Sequence, residues 1–508
     1  MSTYDTTIVG ARVVFPGQGV TRCDVGIRGG RVAALGDDLA GEPTEERIDA
    51  EGLFLFPGGV DSHFHIGIYR PLEQDARSET RSSLVGGATS VISYFRTGSH
   101  YLNRTGSYRD IFPEVLAAVE GRCYTDYGFH IAPMTTAQLD EIEWLATEGG
   151  VPSFKYYMFY KGLNLSASSA DAQAYTMSDS YDFGHLYAMM EKIAVVDSAN
   201  HEHGRVSLSL HCENAELIKF FIERVKAAGL TGMRAYSEAR PPLTERLSIH
   251  EAAVLADATG IRVNLLHLSS AEALRAAEET ARLYPGLDMR RETTLHHLCL
   301  THEEVDKRGG LGAKVNPPIR TAGDVEALWD GVRRGVIDWV GSDHACCMEA
   351  EKGDDLWPAL PGFGGTALLY PVLLSEGYHR RGLSLERIAN LVSANPARAY
   401  ACHPVKGSIA VGADADLVLV DLEKEQTVTP ALLLSEQDHT PFEGTKLKGW
   451  PVQTLVRGRT AFREGQVLGE PAGRFLRRPL KVAAPDVAVG PQGRTGLPRP
   501  RMRHKSPN

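Results

Sequence analysis

Short apolar β-runs alternate with helical segments through the middle of the chain, and this alternation constrains the fold more than any other feature. The helical segments, such as SIHEAAVLADATG and DVEALWDGVRRG, place apolar residues at the 3.6-residue period of an α-helix. Repeated β-then-α units build a parallel sheet, because each helix returns the chain to the edge where the next strand begins. Residues 57–402 therefore predict a (β/α)8 TIM-like barrel. The predicted strands are TSVISYF, VPSFKYYMF, VSLSLHCEN, RVNLLHLSS, LDMRRETT, GAKVN and IDWVGSDH.

Both ends of the chain are rich in predicted strands and turns. Near the start, CDVGIRGGRVAAL carries a Gly-Gly pair between two β-runs, which is typical of a hairpin. A similar pattern returns in ADLVLVDL and TLVRGRTAF near the end. We therefore expect a small β-sandwich domain built from residues 1–56 and 403–470. Residues 471–508 are rich in Pro, Gly and Arg and poor in aliphatic side chains, so we expect an extended or disordered tail.

Composition excludes several classes of function. The 508 residues carry 54 Lys and Arg against 64 Asp and Glu, and the net charge of −10 disfavours nucleic acid as a partner. No apolar stretch is long enough to cross a bilayer, so we expect no membrane partner. The seven cysteines are dispersed and form no CxxC pair, which favours a reducing compartment over a disulfide framework. We expect a soluble, cytoplasmic protein.

Six residues of catalytic interest stand at or just beyond the ends of apolar β-runs. Because the carboxyl ends of barrel strands meet at one rim, residues far apart in sequence are expected to converge there. Imidazole and carboxylate groups bind divalent cations, so the set predicts a two-metal hydrolase site. The six residues are His63, His65, Lys155, His211, His267 and Asp343.

Each of these positions also has a structural alternative. The spacing of His63 and His65 places both imidazoles on one face of a strand, although histidines near a turn can also simply face solvent. His211 and His267 each close an apolar run, a position that structural histidines also occupy. Asp343 follows VIDWVG, where it could bind a metal and move a proton or could cap the next helix.

Lys155 is the unusual member of the set, because a protonated ammonium group repels metal ions. A lysine whose pKa is lowered can react with CO₂, and the resulting carbamate has two oxygens that can bridge two cations. An ordinary lysine in a salt bridge is the alternative. Two neighbours of the candidate ligands, Asp61 and His344, could orient them.

In these motifs the chain resembles the amidohydrolase superfamily and, within it, the dihydropyrimidinase/hydantoinase family. The resemblance runs from GVDSHFH to TPFEGTKLKGWPVQTLVRGR and includes PSFKYYMFYKG, SLSLHCEN, NLLHLSS and WVGSDHA in that order. It implies a metal-dependent hydrolase that opens a cyclic amide or ureide ring, of the hydantoin or dihydropyrimidine type, by attack of a hydroxide shared between two metal ions. Zinc is the default metal, and manganese, cobalt or nickel could serve. The resemblance also implies a homotetramer.

The resemblance assigns a role to each position of the site. Lys155 matches a lysine carboxylated by CO₂ that bridges both metals, and Asp343 matches an aspartate that binds metal and transfers a proton. Tyr160, five residues after Lys155, matches a tyrosine that stabilises the oxyanion. Asn316 and Gly362 stand where the family contacts its substrate. The four remaining metal ligands are matched by His63, His65, His211 and His267.

Several features leave other substrates open. ETTLHHL, NPPIR and SDHA are closer to dihydroorotases, but those enzymes place an arginine where this chain has Gly67, and the nearest arginine is Arg70. The alternatives are a dihydroorotase-like, an allantoinase-like or another cyclic-imide amidohydrolase. A non-catalytic scaffold relative is disfavoured, because all six site positions hold competent residue types. Aromatic residues near the motifs could line a substrate pocket or pack in the core: Tyr69, Tyr94, Phe95, Tyr156, Tyr157 and Phe159.

Overall fold

Sheets from the two ends of the chain flank a parallel barrel in the computed structural model, which describes residues 2–98, 101–160, 180–200, 205–308 and 310–480. The strands, in chain order, are β1 (Tyr4–Val9), β2 (Arg12–Phe15), β3 (Gly19–Arg22), β4 (Asp24–Arg28), β5 (Arg31–Gly36), β6 (Thr44–Asp49), β7 (Phe54–Pro57), β8 (Gly59–His65), β9 (Ala88–Arg96), β10 (Asp126–Ala132), β11 (Ser153–Tyr157), β12 (Ser207–His211), β13 (Val263–Leu265), β14 (Met289–Thr294), β15 (Trp339–Gly341), β16 (His344–Ala345), β17 (Leu417–Thr427), β18 (Lys446–Val456), β19 (Arg459–Arg463) and β20 (Gln466–Val467). The α-helices are α1 (Leu72–Val85), α2 (Tyr108–Val119), α3 (Thr136–Leu139), α4 (Ile142–Thr147), α5 (Phe183–Asn200), α6 (Ala215–Ala227), α7 (Gly232–Ala239), α8 (Pro242–Thr259), α9 (Ala271–Leu283), α10 (His302–Asp306), α11 (Ala322–Arg333), α12 (Glu349–Lys352), α13 (Leu369–Val372), α14 (Leu385–Ala389) and α15 (Asn395–Ala399). Among the described residues, none of the helices is both long and apolar enough to traverse a bilayer.

The β-sandwich consists of a seven-stranded sheet, β20-β19-β18-β17-β7-β2-β3, and a four-stranded sheet, β5-β4-β1-β6. The larger sheet joins the two ends of the chain, because β17 pairs antiparallel with β7. Aliphatic side chains of both sheets, among them Ile8 and Leu417, pack in one core. The predicted hairpin is present: β4 and β5 pair across Gly29 and Gly30, whose φ angles of 59° and 77° suit a two-residue turn.

The middle of the chain forms a parallel sheet in the order β15-β14-β13-β12-β11-β10-β9-β8-β16. Its two edges belong to one short stretch of chain, since β15 ends at Gly341 and β16 begins at His344. Because β16 pairs with β8, the sheet closes on itself. Strands β8 to β14, together with the β15–β16 stretch, make eight barrel strands, which confirms the predicted fold class.

Two strand assignments differ from the sequence analysis. The predicted strand GAKVN is absent: Leu311–Ala313 forms a 3₁₀ helix, and residues 314–316 form no strand pairs. The barrel instead uses β10, which the sequence analysis does not predict. Asp126, Gly128 and His130 interrupt its apolar pattern, yet all seven residues of β10 are buried, as expected for a strand covered on both faces.

The crossing from β7 into β8 fixes the strand that carries the histidine pair. A Cβ atom at Gly58 would lie 2.1 Å from Thr89 Oγ1 in β9, so only glycine fits where the chain passes this close to β9. The Gly58 amide donates to the Asp416 carbonyl at 2.7 Å, which ties the crossing to the sandwich. The FPGGVD motif therefore connects β8 of the barrel to the sandwich.

The first residues of the predicted tail lie extended along the barrel. The Tyr127 amide donates to the Arg474 carbonyl at 3.0 Å, and the Leu476 amide donates back to the Tyr127 carbonyl at 2.6 Å. Arg478 is buried and donates to the Phe129 carbonyl at 2.6 Å. Residues 481–508, the rest of the tail, lie outside the described residues.

Candidate metal centre

The six candidate residues meet at the carboxyl-terminal rim of the barrel. Each is more than nine-tenths buried, and all six line a single cavity. Their positions follow the strand ends: His63 and His65 in β8, Lys155 in β11, His211 at the end of β12, His267 two residues after β13, and Asp343 between β15 and β16. Parallel strands of a closed barrel explain why residues so far apart in sequence converge.

Asp343 joins the two histidines of β8. Its Oδ1 lies 2.9 Å from His63 Nε2 and 3.4 Å from His65 Nε2. Burial lowers the pKa of His65 to about 4, so its imidazole is neutral and can offer a lone pair to a cation. Burial would also raise the pKa of Asp343, but the charge of His63 and its hydrogen bond hold that pKa well below its usual value. This corner of the site therefore combines an ionised carboxylate with the neutral imidazole of His65.

His211 and His267 form a second corner. The Nδ1 atom of His211 lies 2.9 Å from Nε2 of His267. Burial lowers the pKa of His211 to about 4 and that of His267 well below its usual value, so both rings are neutral. The Nδ1 atom of His267 is buried without a hydrogen-bond partner in the described part of the chain. Two neutral imidazoles with converging nitrogens suit a divalent cation.

Two of the candidate ligands have unusual backbone angles. His267 has a φ of 36° and Asp343 a φ of 52°, values that are uncommon for residues other than glycine. Such strained positions cluster at functional sites, where the surrounding structure holds the side chain in a required direction.

Lys155 lies between two aromatic rings. Its Nζ is 4.3 Å from the ring centre of Tyr94 and 4.8 Å from that of Tyr157. Burial lowers the pKa of Lys155 to about 7, so a substantial fraction of the amine is unprotonated at neutral pH. Asp343 and Glu292 act on Lys155 through their charge, but among the described residues no carboxylate forms a salt bridge with it.

Glu292, which the sequence analysis did not single out, orients ligands from two strands. Its Oε1 lies 2.5 Å from His63 Nδ1 and accepts from the His267 amide at 3.2 Å. Its Oε2 accepts from Trp339 Nε1 at 2.7 Å. Burial would lower the pKa of His63, but Asp343 and Glu292 raise it to about 9, so positive charge is stabilised here. A charged residue in a mostly buried strand is the signal that could have revealed Glu292.

A second buried carboxylate supports His211. Glu213 Oε2 lies 2.6 Å from His211 Nε2, which leaves Nδ1 directed toward His267. Arg240 holds this carboxylate through two hydrogen bonds, from Nε to Oε1 at 3.0 Å and from Nη2 to Oε2 at 2.5 Å. All of these groups are buried, so the ion pair orients the imidazole rigidly.

Asp61 and His344 hold the stretch of chain on either side of Asp343 in place. Asp61 accepts from the Ser342 amide at 3.1 Å and from Thr366 Oγ1 at 2.8 Å. His344 is fully buried, and its Nε2 lies 2.9 Å from Glu79 Oε2. Both residues fix the stretch that carries Asp343.

The three predicted substrate contacts also line the cavity. Tyr160 ends a 3₁₀ helix directly after β11 and stacks on Tyr157 with ring centres 4.7 Å apart. Asn316 Oδ1 accepts from the Tyr236 hydroxyl at 2.5 Å, so its side chain is held in place. Gly362 has a φ of 108°, and its amide donates to the Lys314 carbonyl at 2.8 Å.

The aromatic residues of the motifs divide between cavity and core. Tyr69, Tyr157 and Phe159 line the cavity, which measures about 80 Å³ and is suited to small molecules. Phe95 packs in the core, and Tyr156 stacks on a neighbouring tyrosine and donates to the Asp182 carbonyl. Both alternatives considered for these aromatics are therefore realised, at different positions.

The arrangement of the site agrees with the comparison to known proteins. Residues 54–461 match the sequence model of the amidohydrolase family. The chain belongs to this family. Within the amidohydrolases its resemblance to the hydantoinase branch is confirmed, because hydantoinases are among its relatives and among the solved structures that superpose on it.

Three amidohydrolases illustrate the similarity. An allantoinase of Rubrobacter xylanophilus is 32% identical over 480 residues, covering 94% of this chain and 98% of its own. A D-hydantoinase of Ralstonia pickettii is 29% identical over 472 residues, covering 91% of this chain and 96% of its own. The solved structure of an L-hydantoinase (dihydropyrimidinase) from Arthrobacter aurescens superposes with a TM-score of 0.82 at 28% identity, covering 93% of this chain and 99% of its own.

Proposed function

We propose that this protein is a metal-dependent hydrolase that opens a cyclic amide or ureide ring, of the hydantoin or dihydropyrimidine type. The observation that carries the proposal is the convergence of six buried side chains, remote in sequence, on one cavity at the barrel rim. The names of the hydantoinase and allantoinase relatives support the substrate class.

The donor set fits two divalent cations, with zinc as the default and manganese, cobalt or nickel as alternatives. His63, His65 and Asp343 offer donor atoms within 4.8 Å of one another and would hold one ion. His211 and His267 would hold the other, and a carbamate formed from Lys155 and CO₂ would be shared by both. The neutral imidazoles of His65, His211 and His267, and the unpartnered buried nitrogen of His267, support this assignment. When bound, the ions would lower the pKa of an attacking water and polarise the carbonyl.

The residues of the chain supply the proton transfer and the orientation. Asp343 is ionised at neutral pH, so it can accept the proton of the attacking water and deliver it to the ring nitrogen that leaves. The Tyr160 hydroxyl donates to the oxygen of the attacked carbonyl, and one such donor contributes roughly 3–4 kcal/mol. Asn316 and Gly362 also line the cavity and would orient the ring. The ring C–N bond then breaks, giving an open-chain carbamoyl or amide acid.

Hydrolysis of allantoin is the second candidate function, because several relatives carry the name allantoinase and match nearly the whole chain. A dihydroorotase-like or other cyclic-imide activity is supported only by the similarity of the ETTLHHL, NPPIR and SDHA motifs. The non-catalytic scaffold alternative is opposed by the complete set of converging donor groups.

The decisive experiment is a hydrolysis panel with purified protein whose metal content is quantified. The panel contains hydantoin, dihydrouracil, dihydroorotate, allantoin and a cyclic imide, with Asp343→Asn as the inactive control. We expect about two metal ions per chain and ring opening of at least one hydantoin or dihydropyrimidine. Protein that binds no stoichiometric metal, or that binds metal and opens none of these rings, would overturn the proposal.

The family resemblance and the cysteines bear on assembly and location. We propose a homotetramer on the basis of the family resemblance, which size-exclusion chromatography with light scattering can test. All seven cysteines are free thiols, which supports a reducing compartment such as the cytoplasm.

A further inference from the structure

A segment of irregular backbone, residues 357–362, forms part of the lining of the metal-centre cavity. Pro361 and Gly362, at the end of this lining segment, border the cavity directly. None of its residues belongs to a helix or a strand. The next residue ties it to β16, because the Ala345 amide donates to the Phe363 carbonyl at 3.1 Å. Since no helix or sheet pairs the carbonyls of the lining segment, other groups must bind them and fix its position.

Lys352, the last residue of α12, supplies donors to the end of the lining segment and is 3% exposed. Its Nζ donates to the Gly362 carbonyl at 2.7 Å and to the Leu360 carbonyl at 3.0 Å, and the Lys314 carbonyl lies 3.5 Å away. Burial lowers the pKa of Lys352 to about 8, so at neutral pH most of the amine is protonated and carries three N–H donors. In the described part of the chain no carboxylate pairs with Lys352, and backbone carbonyls surround its charge.

A second buried lysine holds the start of the lining segment. Lys314 Nζ donates to the Trp357 carbonyl at 3.0 Å and to the Ala359 carbonyl at 2.5 Å. The Lys314 carbonyl accepts from the Gly362 amide at 2.8 Å, so the same residue also contacts the end of the segment. Charge-assisted hydrogen bonds from two lysines therefore replace the backbone pairing that a strand would provide.

The end of the lining segment shapes the cavity by its position. Gly362 has a φ of 108°, and a Cβ atom there would lie 2.9 Å from Ala345 Cβ, so a side chain does not fit. The amide and the carbonyl of Gly362 are already bonded to the two lysine residues. The Pro361 carbonyl accepts from the Tyr69 hydroxyl at 2.5 Å, and proline has no N–H to offer. The fit of a ligand against this lining therefore depends on where the backbone is held.

We propose that Lys352 is a positioning residue for substrate binding, which holds Pro361 and Gly362 where they fit the substrate ring. This inference rests on the proposed ring-opening function and adds a determinant of substrate affinity to it. Without the ammonium group, the carbonyls of Leu360 and Gly362 would be buried without their donor, so the lining segment would shift to find other partners. The segment contains none of the candidate metal ligands, so its shift should weaken binding of the ring and leave the chemical step intact.

The test replaces Lys352 by methionine, which keeps a long side chain and removes the donors. With the ring that the wild-type holoenzyme opens fastest, Lys352→Met is expected to raise KM about tenfold or more, with kcat within about threefold of the wild type. Lys352→Arg keeps the charge and should give a KM between those of the wild type and Lys352→Met. Lys314→Met should also raise KM. Lys219→Met, at an exposed lysine of α6, is the control and should keep the wild-type KM.

Thermal melting and elemental analysis accompany the kinetics, and metal content should stay at the wild-type level in every variant. A lysine that served only the stability of the fold would lower Tm and leave KM unchanged. An unchanged KM in folded Lys352→Met, or a fall in kcat as large as the rise in KM, would therefore overturn this inference. Where Lys352→Met does not fold, an unchanged KM in Lys314→Met overturns the role of the lining segment. Metal-loaded wild type that opens no ring would instead overturn the ring-opening function, and this inference with it.

Discussion

Glu292 Oε1 lies 2.5 Å from His63 Nδ1, and this contact directs the other nitrogen of His63 toward Asp343. The same carboxylate oxygen accepts from the backbone amide of His267, which follows a different strand, β13. One buried carboxylate therefore orients candidate ligands from both corners of the site. Carboxylate partners of this kind fix the ring orientation of metal-binding histidines and raise their basicity.

Glu292→Gln is expected to weaken metal binding by about 10–100-fold, because the amide cannot supply the negative charge that supports His63. Metal affinity can be measured by competition with a chromogenic chelator. Glu238→Gln, at an exposed glutamate of α7, serves as the control and should bind metal like the wild type. Equal affinity in Glu292→Gln and the control would show that Glu292 has no role in metal binding.

Lys155→Ala should lose bound metal and hydrolytic activity together, because the proposed carbamate would be shared by both ions. Short carboxylic acids such as acetate or propionate should restore part of both by supplying the missing oxygens. Elemental analysis and the hydrolysis assay measure the two effects, and Lys192→Ala, at an exposed lysine, is the control. Full activity of Lys155→Ala without any added acid would rule the carbamate out.

Tyr160→Phe is expected to lower kcat by about 10²–10³-fold while metal content stays at the wild-type level. In the proposed mechanism the hydroxyl lost in this variant donates to charge that develops on the carbonyl oxygen during attack. Steady-state kinetics with elemental analysis distinguishes this effect from damage to the metal centre. Tyr187→Phe, at a tyrosine that is 37% exposed, is the matched control. An unchanged kcat would remove Tyr160 from the mechanism.

Asp75, on α1, should make the protein less stable as the pH rises. Burial raises the pKa of Asp75 from 3.8 to about 8, and the charge of Glu79 adds to the rise. The folded protein keeps this proton up to about pH 8, whereas the unfolded chain releases it around pH 3.8. The unfolded chain therefore binds fewer protons within that window, and the free energy of unfolding falls as the pH rises.

Asp75→Asn removes this titration and retains an oxygen that can accept from the Gly67 amide, a bond of 2.8 Å in the wild type. Between about pH 5 and pH 8 we expect the wild type to lose about 2 kcal/mol or more relative to the variant. Denaturant unfolding at several pH values measures the difference. Asp257→Asn, at an exposed position on α8, should follow the wild type. Parallel profiles for wild type and Asp75→Asn would contradict the expected burial effect.

The sequence predicted the barrel, the sandwich and the hairpin because these features depend on local patterns. Gly29 and Gly30 take the positive φ angles that a two-residue turn requires. The histidines of the HxH pair share a strand face because side chains alternate along a strand. The strand β10 is not predicted, because polar residues such as Asp126 and His130 interrupt the apolar run that marks a buried strand.

The sequence by itself determined which residue types stand at the strand ends and hence which metal chemistry the chain could support. Only the tertiary structure decided that Glu292 and Glu213 hold the histidines and that all six candidate ligands face one cavity. The physical reason is that local periodicity encodes strands, helices and turns. The neighbours of a buried charge are set by the register of strands distant in sequence and by the closure of β16 onto β8.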